Sequence, residues 1–121
     1  MTKLKLRILF DEAMLGPGKA ELLQGIAETG SISAAGRRME MSYKRAWMLV
    51  EEMNAAFRAP LVESVRGGPG GGGARLTDTG AEVLRRYRAV EAAALQAAEP
   101  EIAALEALLR PVAGLDMSGG K

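Results

Sequence analysis

The chain has 121 residues, 48% of them hydrophobic but only 4% aromatic, with 16 basic and 15 acidic side chains and a formal net charge of +1. That length suits one domain with a helical appendage, its core packed from aliphatic side chains, Met and Ala. The absence of cysteine and histidine excludes disulfides, Cys/His zinc sites and imidazole acid–base chemistry, so no enzyme is expected. No apolar run approaches the roughly 18 residues of a membrane span and the start is unlike a targeting peptide, so a cytoplasmic protein is expected.

From the N-terminus, Lys3-Leu4-Lys5-Leu6-Arg7-Ile8 alternates with period two, predicting a strand that turns Leu4, Leu6 and Ile8 inward. Leu15-Gly16-Pro17-Gly18 breaks the pattern, and Pro17 opens a first helix, where its missing N–H costs nothing. This helix runs to about Glu28 on an apolar face of Leu22, Leu23 and Ile26, and Gly30 caps it in the left-handed conformation. Ser31 is the N-cap of a second helix carrying Ile32, Ala34, Ala35 and Met39. The small Ala34-Ala35 pair allows another helix to approach closely. Met39-Glu40-Met41 forms a turn, and Ser42 caps a third helix whose Ala46, Leu49, Val50, Met53 and Phe57 recur at helical spacing.

Past Pro60, Leu61 to Val65 reads as a strand, with Ala74-Arg75-Leu76 as its partner across the glycine-rich run Gly67 to Gly73. Thr77 caps a fourth helix, and Asp78 in its first turn complements the helix dipole. The helix is expected to run to about Glu99, where Pro100 interrupts it. A last helix over Glu101 to Arg110 then carries Ile102, Leu105, Leu108 and Leu109, and the tail frays from Pro111. Val83, Leu84, Tyr87, Val90, Ala94 and Leu95 form a stripe along the fourth helix that so small a core cannot bury, which predicts a homodimer. In the competing arrangement the last helix folds back over the stripe. The expected architecture is mainly α with a small β-hairpin wing: a winged helix-turn-helix over 1–76, a helical dimerisation segment over 77–110 and a flexible tail over 111–121.

Charge is unevenly spread along the chain. Residues 1–30 carry four basic and four acidic groups; 31–76 carry seven basic against four acidic, a net +3; 77–121 carry five basic against seven acidic, a net −2. The excess falls where a helix-turn-helix meets phosphates. Recognition helices present base-reading side chains from their first two turns, here Ser42, Tyr43, Lys44, Arg45 and Trp47. Lys44 and Arg45 can donate to the acceptor edge of guanine or to phosphates. Tyr43 can touch a thymine methyl or donate its hydroxyl to a phosphate, while Ser42 caps the helix and touches the DNA backbone. Trp47 lies one position off the core stripe, and a structural bridge to the second helix is the preferred role over DNA contact. Arg37 and Arg38 either meet phosphates or simply complement the negative end of the second helix. The run from Arg66 to Arg75 lacks the helix and the Lys-Ser/Thr pair of a nucleotide loop. It reads instead as a wing whose tip lies in a minor groove while Arg66 and Arg75 meet phosphates; a loop without contacts is the plainer alternative.

Leu6-Arg7-Ile8, Gly16-Pro17-Gly18-Lys19, Gly30 to Ala35, Met41 to Trp47, and Gly70 to Thr77 followed by Thr79-Gly80 resemble the N-terminal domain of the ModE family. These are molybdate-responsive transcriptional regulators with a winged helix-turn-helix related to that of LysR-type regulators. The resemblance implies a homodimer joined through long helices, with Tyr43, Lys44 and Arg45 in the operator's major groove. It also implies control of molybdate-uptake or molybdoenzyme genes. Family members that sense molybdate carry a C-terminal oxyanion-binding domain of the molbindin type, for which this length leaves no room. No cofactor is therefore expected in this chain, and molybdate enters only through the resemblance. Double-stranded DNA and a second copy are the expected partners, with no membrane. Two rivals remain: a direct oxyanion sensor at a dimer interface, and an adaptor that pairs with a full-length regulator through the fourth helix.

Overall fold

The computed structural model describes residues 2–66 and 73–111. Expectations for the tip of the glycine-rich run and for the tail after Pro111 lie outside the described residues. In chain order the elements are β1 (Ile8–Leu9), β2 (Met14–Leu15), α1 (Pro17–Thr29), α2 (Ile32–Arg38), α3 (Tyr43–Ala56), β3 (Val62–Val65), β4 (Gly73–Leu76) and α4 (Asp78–Leu108).

The N-terminal alternation is visible in side-chain exposure: Leu4, Leu6 and Ile8 are partly covered, while Lys3, Lys5 and Arg7 are exposed. Only Ile8 and Leu9 pair, however, antiparallel to β2 in the register Ile8↔Leu15 and Leu9↔Met14. The ladder is short because β2 runs directly into Gly16 and Pro17. Proline has no N–H to give a ladder and instead opens α1.

Helices α1, α2 and α3 pack on one another around Leu22, Leu23, Ile26, Ile32, Ala35, Ala46, Val50 and Met53, all buried. Each large aliphatic side chain taken out of water in this way contributes about 1.5–3 kcal/mol. The caps form as the sequence implied. Gly30 has φ 73° and donates its N–H to the Ile26 carbonyl, and the Ser31 and Ser42 hydroxyls accept from the N–H groups of Ala34 and Arg45 at 3.0 and 3.1 Å. Another helix does approach closely at Ala35: it is α1, where a Cβ at Gly25 would stand 2.9 Å from the Ala35 Cβ, while α3 comes close at Gly36, where a Cβ would stand 3.0 Å from the Ala46 Cβ. In the turn between α2 and α3, Glu40 takes φ 58°, a left-handed conformation that side chains other than glycine's adopt at a cost.

Strands β3 and β4 pair antiparallel with Val62↔Leu76, Glu63↔Arg75, Ser64↔Ala74 and Val65↔Gly73. Three links tie this hairpin to the helices. The Asn54 side chain of α3 accepts from the N–H groups of Leu61 and Val62 at 2.8 and 3.1 Å and donates to the Val62 carbonyl at 3.1 Å. The Ala74 N–H donates to the Gly30 carbonyl at 2.9 Å. The Thr77 hydroxyl donates to the Pro60 carbonyl at 2.6 Å and accepts from the Gly80 N–H at 2.9 Å, which is the expected cap of α4. A Cβ at Gly80 would fall 2.0 Å from the Leu61 carbonyl oxygen. Only glycine lets α4 begin so close to the strand.

Two expectations for the C-terminal part are corrected. Contacts divide the chain into a unit ending at Glu91 and another beginning at Ala92. Val83 and Leu84 pack against the buried cores of the first unit, and Tyr87 is buried with Leu15 and Ala20. The Tyr87 hydroxyl donates to the Leu6 carbonyl, and Arg88 pairs with Glu21 of α1 at 3.2 Å. Tyr87 is therefore taken up within the chain, and Val83 and Leu84 are partly so. Finally, α4 continues through Pro100 to Leu108, so there is no separate last helix to fold back. Alanines on both sides (Ala97, Ala98, Ala103, Ala104) favour helix strongly enough to carry the one hydrogen bond a proline removes.

Candidate nucleic-acid interface

The face that α3 turns away from the core follows from its stripe. Ala46, Leu49, Val50 and Met53 are buried, so at 100° per residue Lys44 and Met48 lie opposite them, with Tyr43 and Trp47 in the next row and Arg45 on the other flank. Ser42 spends one lone pair on the Arg45 N–H, which fixes the start of the helix and leaves its hydroxyl hydrogen free to donate. Lys44 and Arg45 are exposed. Among the described residues neither side chain has a hydrogen-bond or ion-pair partner within the chain. Two cations adjacent on one turn, with no carboxylate to neutralise them, are what an anionic partner requires.

Tyr43 is 58% exposed and Trp47 37%, and their rings stack with centroids 6.4 Å apart and planes 7° from parallel. Trp47 belongs to neither buried core cluster. The indole packs on a neighbour of its own helix, four residues away, where side chains meet on the surface.

The remaining arginines differ in freedom. Arg37 donates to the Ser33 hydroxyl at 2.7 Å. Arg38 pairs with Glu28 at 2.7 Å, and that hydrogen bond, with a second from Gln24, lowers the Glu28 carboxyl below its ordinary range. Arg75 pairs across the hairpin with Glu63 at 2.7 Å, its directly opposite residue in the ladder. Both ion pairs are solvent-exposed and weakened by water and salt, so a phosphate can compete for either arginine. Arg66 is exposed, with no such partner among the described residues.

Two residues that hold the interface in place carry no functional signal of their own. Lys19 is 9% exposed, donates to the Met14 carbonyl at 3.0 Å and lies 3.3 Å from a Glu52 carboxylate oxygen, so it joins β2 and α1 to α3. Its place three, four and seven residues before Leu22, Leu23 and Ile26 is the signal that it shares their buried face. Asn54 sits four residues after Val50, at the edge of the α3 stripe, and plays the part of a backbone partner for β3.

A helix, a tight turn and a second helix with an exposed cationic start, followed by a hairpin tied to their base, define a winged helix-turn-helix domain. The model of the bacterial regulatory helix-turn-helix proteins of the lysR family matches residues 18–81, more than half of the chain, and the chain belongs to that family, one of regulators rather than enzymes. It is 46% identical over 80 residues to the molybdenum-pterin-binding protein MopB of Rhodobacter capsulatus, covering 66% of this chain and 30% of MopB. It is 44% identical over 71 residues to the DNA-binding transcriptional dual regulator ModE of Escherichia coli, covering 59% of this chain and 27% of that protein. The chain thus spans under a third of the length of these relatives. The crystal structure of a CbnR_DBD–DNA complex shares the fold, with a TM-score of 0.57 and 23% identity over 73% of this chain and 95% of that one. The ModE-family resemblance read from Ser42 to Trp47 and the hairpin is borne out.

Proposed function

We propose that the chain is a sequence-specific, double-stranded-DNA-binding transcriptional regulator of the ModE type, linked to molybdate-uptake or molybdoenzyme genes as the names of its relatives imply. One observation carries the reading: Lys44 and Arg45 stand exposed and unneutralised on the first turn of a helix whose opposite face is buried. In this reading α3 enters the major groove, Lys44 and Arg45 meet guanine edges or phosphates, and Ser42, Arg37 and Arg38 meet the backbone. Arg66 and Arg75 supply phosphate contacts from the hairpin.

The same reading pairs two copies through α4, from the unburied end of the expected stripe at Val90, Ala94 and Leu95 onward. Leu95, Ala98, Ile102 and Leu105, with Leu109 just past the helix end, alternate three and four apart, the spacing of a coiled-coil seam. Leu95, Leu105 and Leu109 are 46%, 63% and 71% exposed, surface that a partner helix would cover.

Selection of bound sequences from random duplex DNA, with and without molybdate, tests the proposal. A palindromic consensus is expected, with affinity falling by roughly 0.9 log units per phosphate contact for each decade of salt. A purified chain that binds no duplex at low salt would refute it and favour an adaptor.

A further inference from the structure

We infer that the stacked Tyr43–Trp47 pair, with Met48 beside it, reads thymine methyl groups in the major groove. The inference rests on the DNA-binding reading above and states what that surface selects. The chain has five aromatic residues: one Trp, two Tyr and two Phe. Tyr87 is buried and Phe57 packs against the core. In so aromatic-poor a protein, two rings are nevertheless placed side by side on the outward face of α3, with Met48 43% exposed in the adjoining row. None of the three belongs to a core cluster, and each leaves apolar area open to a partner.

The stack also pre-sets both rings. Each restrains the rotamer of the other, so little conformational freedom is left to lose on binding. The occupant follows from what lies alongside. Unneutralised Lys44 and Arg45 demand an anionic partner, and the ring pair demands an apolar projection within a few ångströms of that charge. Duplex DNA offers both at once. Its phosphates flank the major groove, and the thymine methyl is the apolar group on the base edges there. The rings cannot supply the fork of donors and acceptors that distinguishes guanine or adenine, so discrimination at their position is carried by the methyl.

The test replaces each thymine of a selected consensus duplex, in turn, by deoxyuridine, which removes the 5-methyl and nothing else. At one or more thymines in each half-site, wild-type affinity is expected to fall about fourfold, the ordinary worth of one methyl taken from water. Trp47→Ala should be indifferent to the same replacement, and Tyr43→Phe, which keeps the stack, should remain sensitive. Should Trp47→Ala not fold, Tyr43→Ala takes its place. A wild-type protein that binds every deoxyuridine duplex as tightly as the parent overturns the inference. So does a penalty that survives undiminished in the ring variant, and either result can arise while DNA binding itself stands. Failure to bind any duplex would remove the DNA-binding reading, and this inference with it.

Discussion

Replacing Asn54 with alanine isolates the link between the recognition helix and the hairpin. The side chain satisfies three backbone groups at once: the N–H groups of Leu61 and Val62 and the carbonyl of Val62. Leu61 and Val62 are 0% and 5% exposed, so the groups released by the mutation have little access to bulk water. At about 1 kcal/mol net for each neutral hydrogen bond, and more where a buried group is left without a partner, Asn54→Ala should cost about 3 kcal/mol. In a domain of this size each kcal/mol moves the melting temperature by about 4–8 °C, so a fall of roughly 12–24 °C is expected. Urea unfolding followed by far-ultraviolet circular dichroism measures the loss, at one fixed protein concentration because assembly would shift the midpoint. Asn54→Asp keeps both acceptor contacts and should lose less than the alanine variant. An alanine variant within about 0.5 kcal/mol of wild type, inside the range of an ordinary surface change, would show that the side chain does not secure the strand.

Gly80→Ala drives a methyl to within 2.0 Å of the Leu61 carbonyl oxygen and should destabilise by about 1–3 kcal/mol or more in the same urea assay, whereas Gly18→Ala, with nothing within 4 Å, should be neutral or slightly stabilising. Glu40→Gly relieves the φ of 58° in the turn and should stabilise by about 0.5–1 kcal/mol after the entropy of glycine is counted; a loss of stability would mean the Glu40 side chain itself is needed. Burial, and to a lesser extent the charge of Glu91, raise the Tyr87 hydroxyl above its ordinary value of 10.0. Its contribution is thus intact below pH 10 and lost as pH rises through the folded-state value, so wild type should weaken at alkaline pH more steeply than Tyr87→Phe. Lys44→Ala and Arg45→Ala should each weaken binding to a selected duplex by about 1–3 kcal/mol if they read bases; loss that is uniform over all sequences, with a shallower salt dependence, would assign them to phosphates.

Much of this protein was legible in residue order because its controlling signals are local. Pro17, Gly30, Ser31, Ser42 and Thr77 act within one turn of their own positions, and they set the helix starts and stops where the sequence placed them. The apolar period of α3 likewise determined which of its faces is buried, and hence that Lys44 and Arg45 point outward. Tertiary structure decided whatever depended on a neighbour distant in sequence. Tyr87 looked like part of an open stripe until the Leu6 carbonyl, 81 positions away, claimed its hydroxyl. Lys19 gained its burial from Met14 and Glu52, and Asn54 its task from β3. Pro100 was read by its own chemistry alone, yet the helix around it was strong enough to pass through. Caps and periods are written in a few adjacent residues; which side chains remain free for a partner is settled only when the whole chain has chosen its contacts.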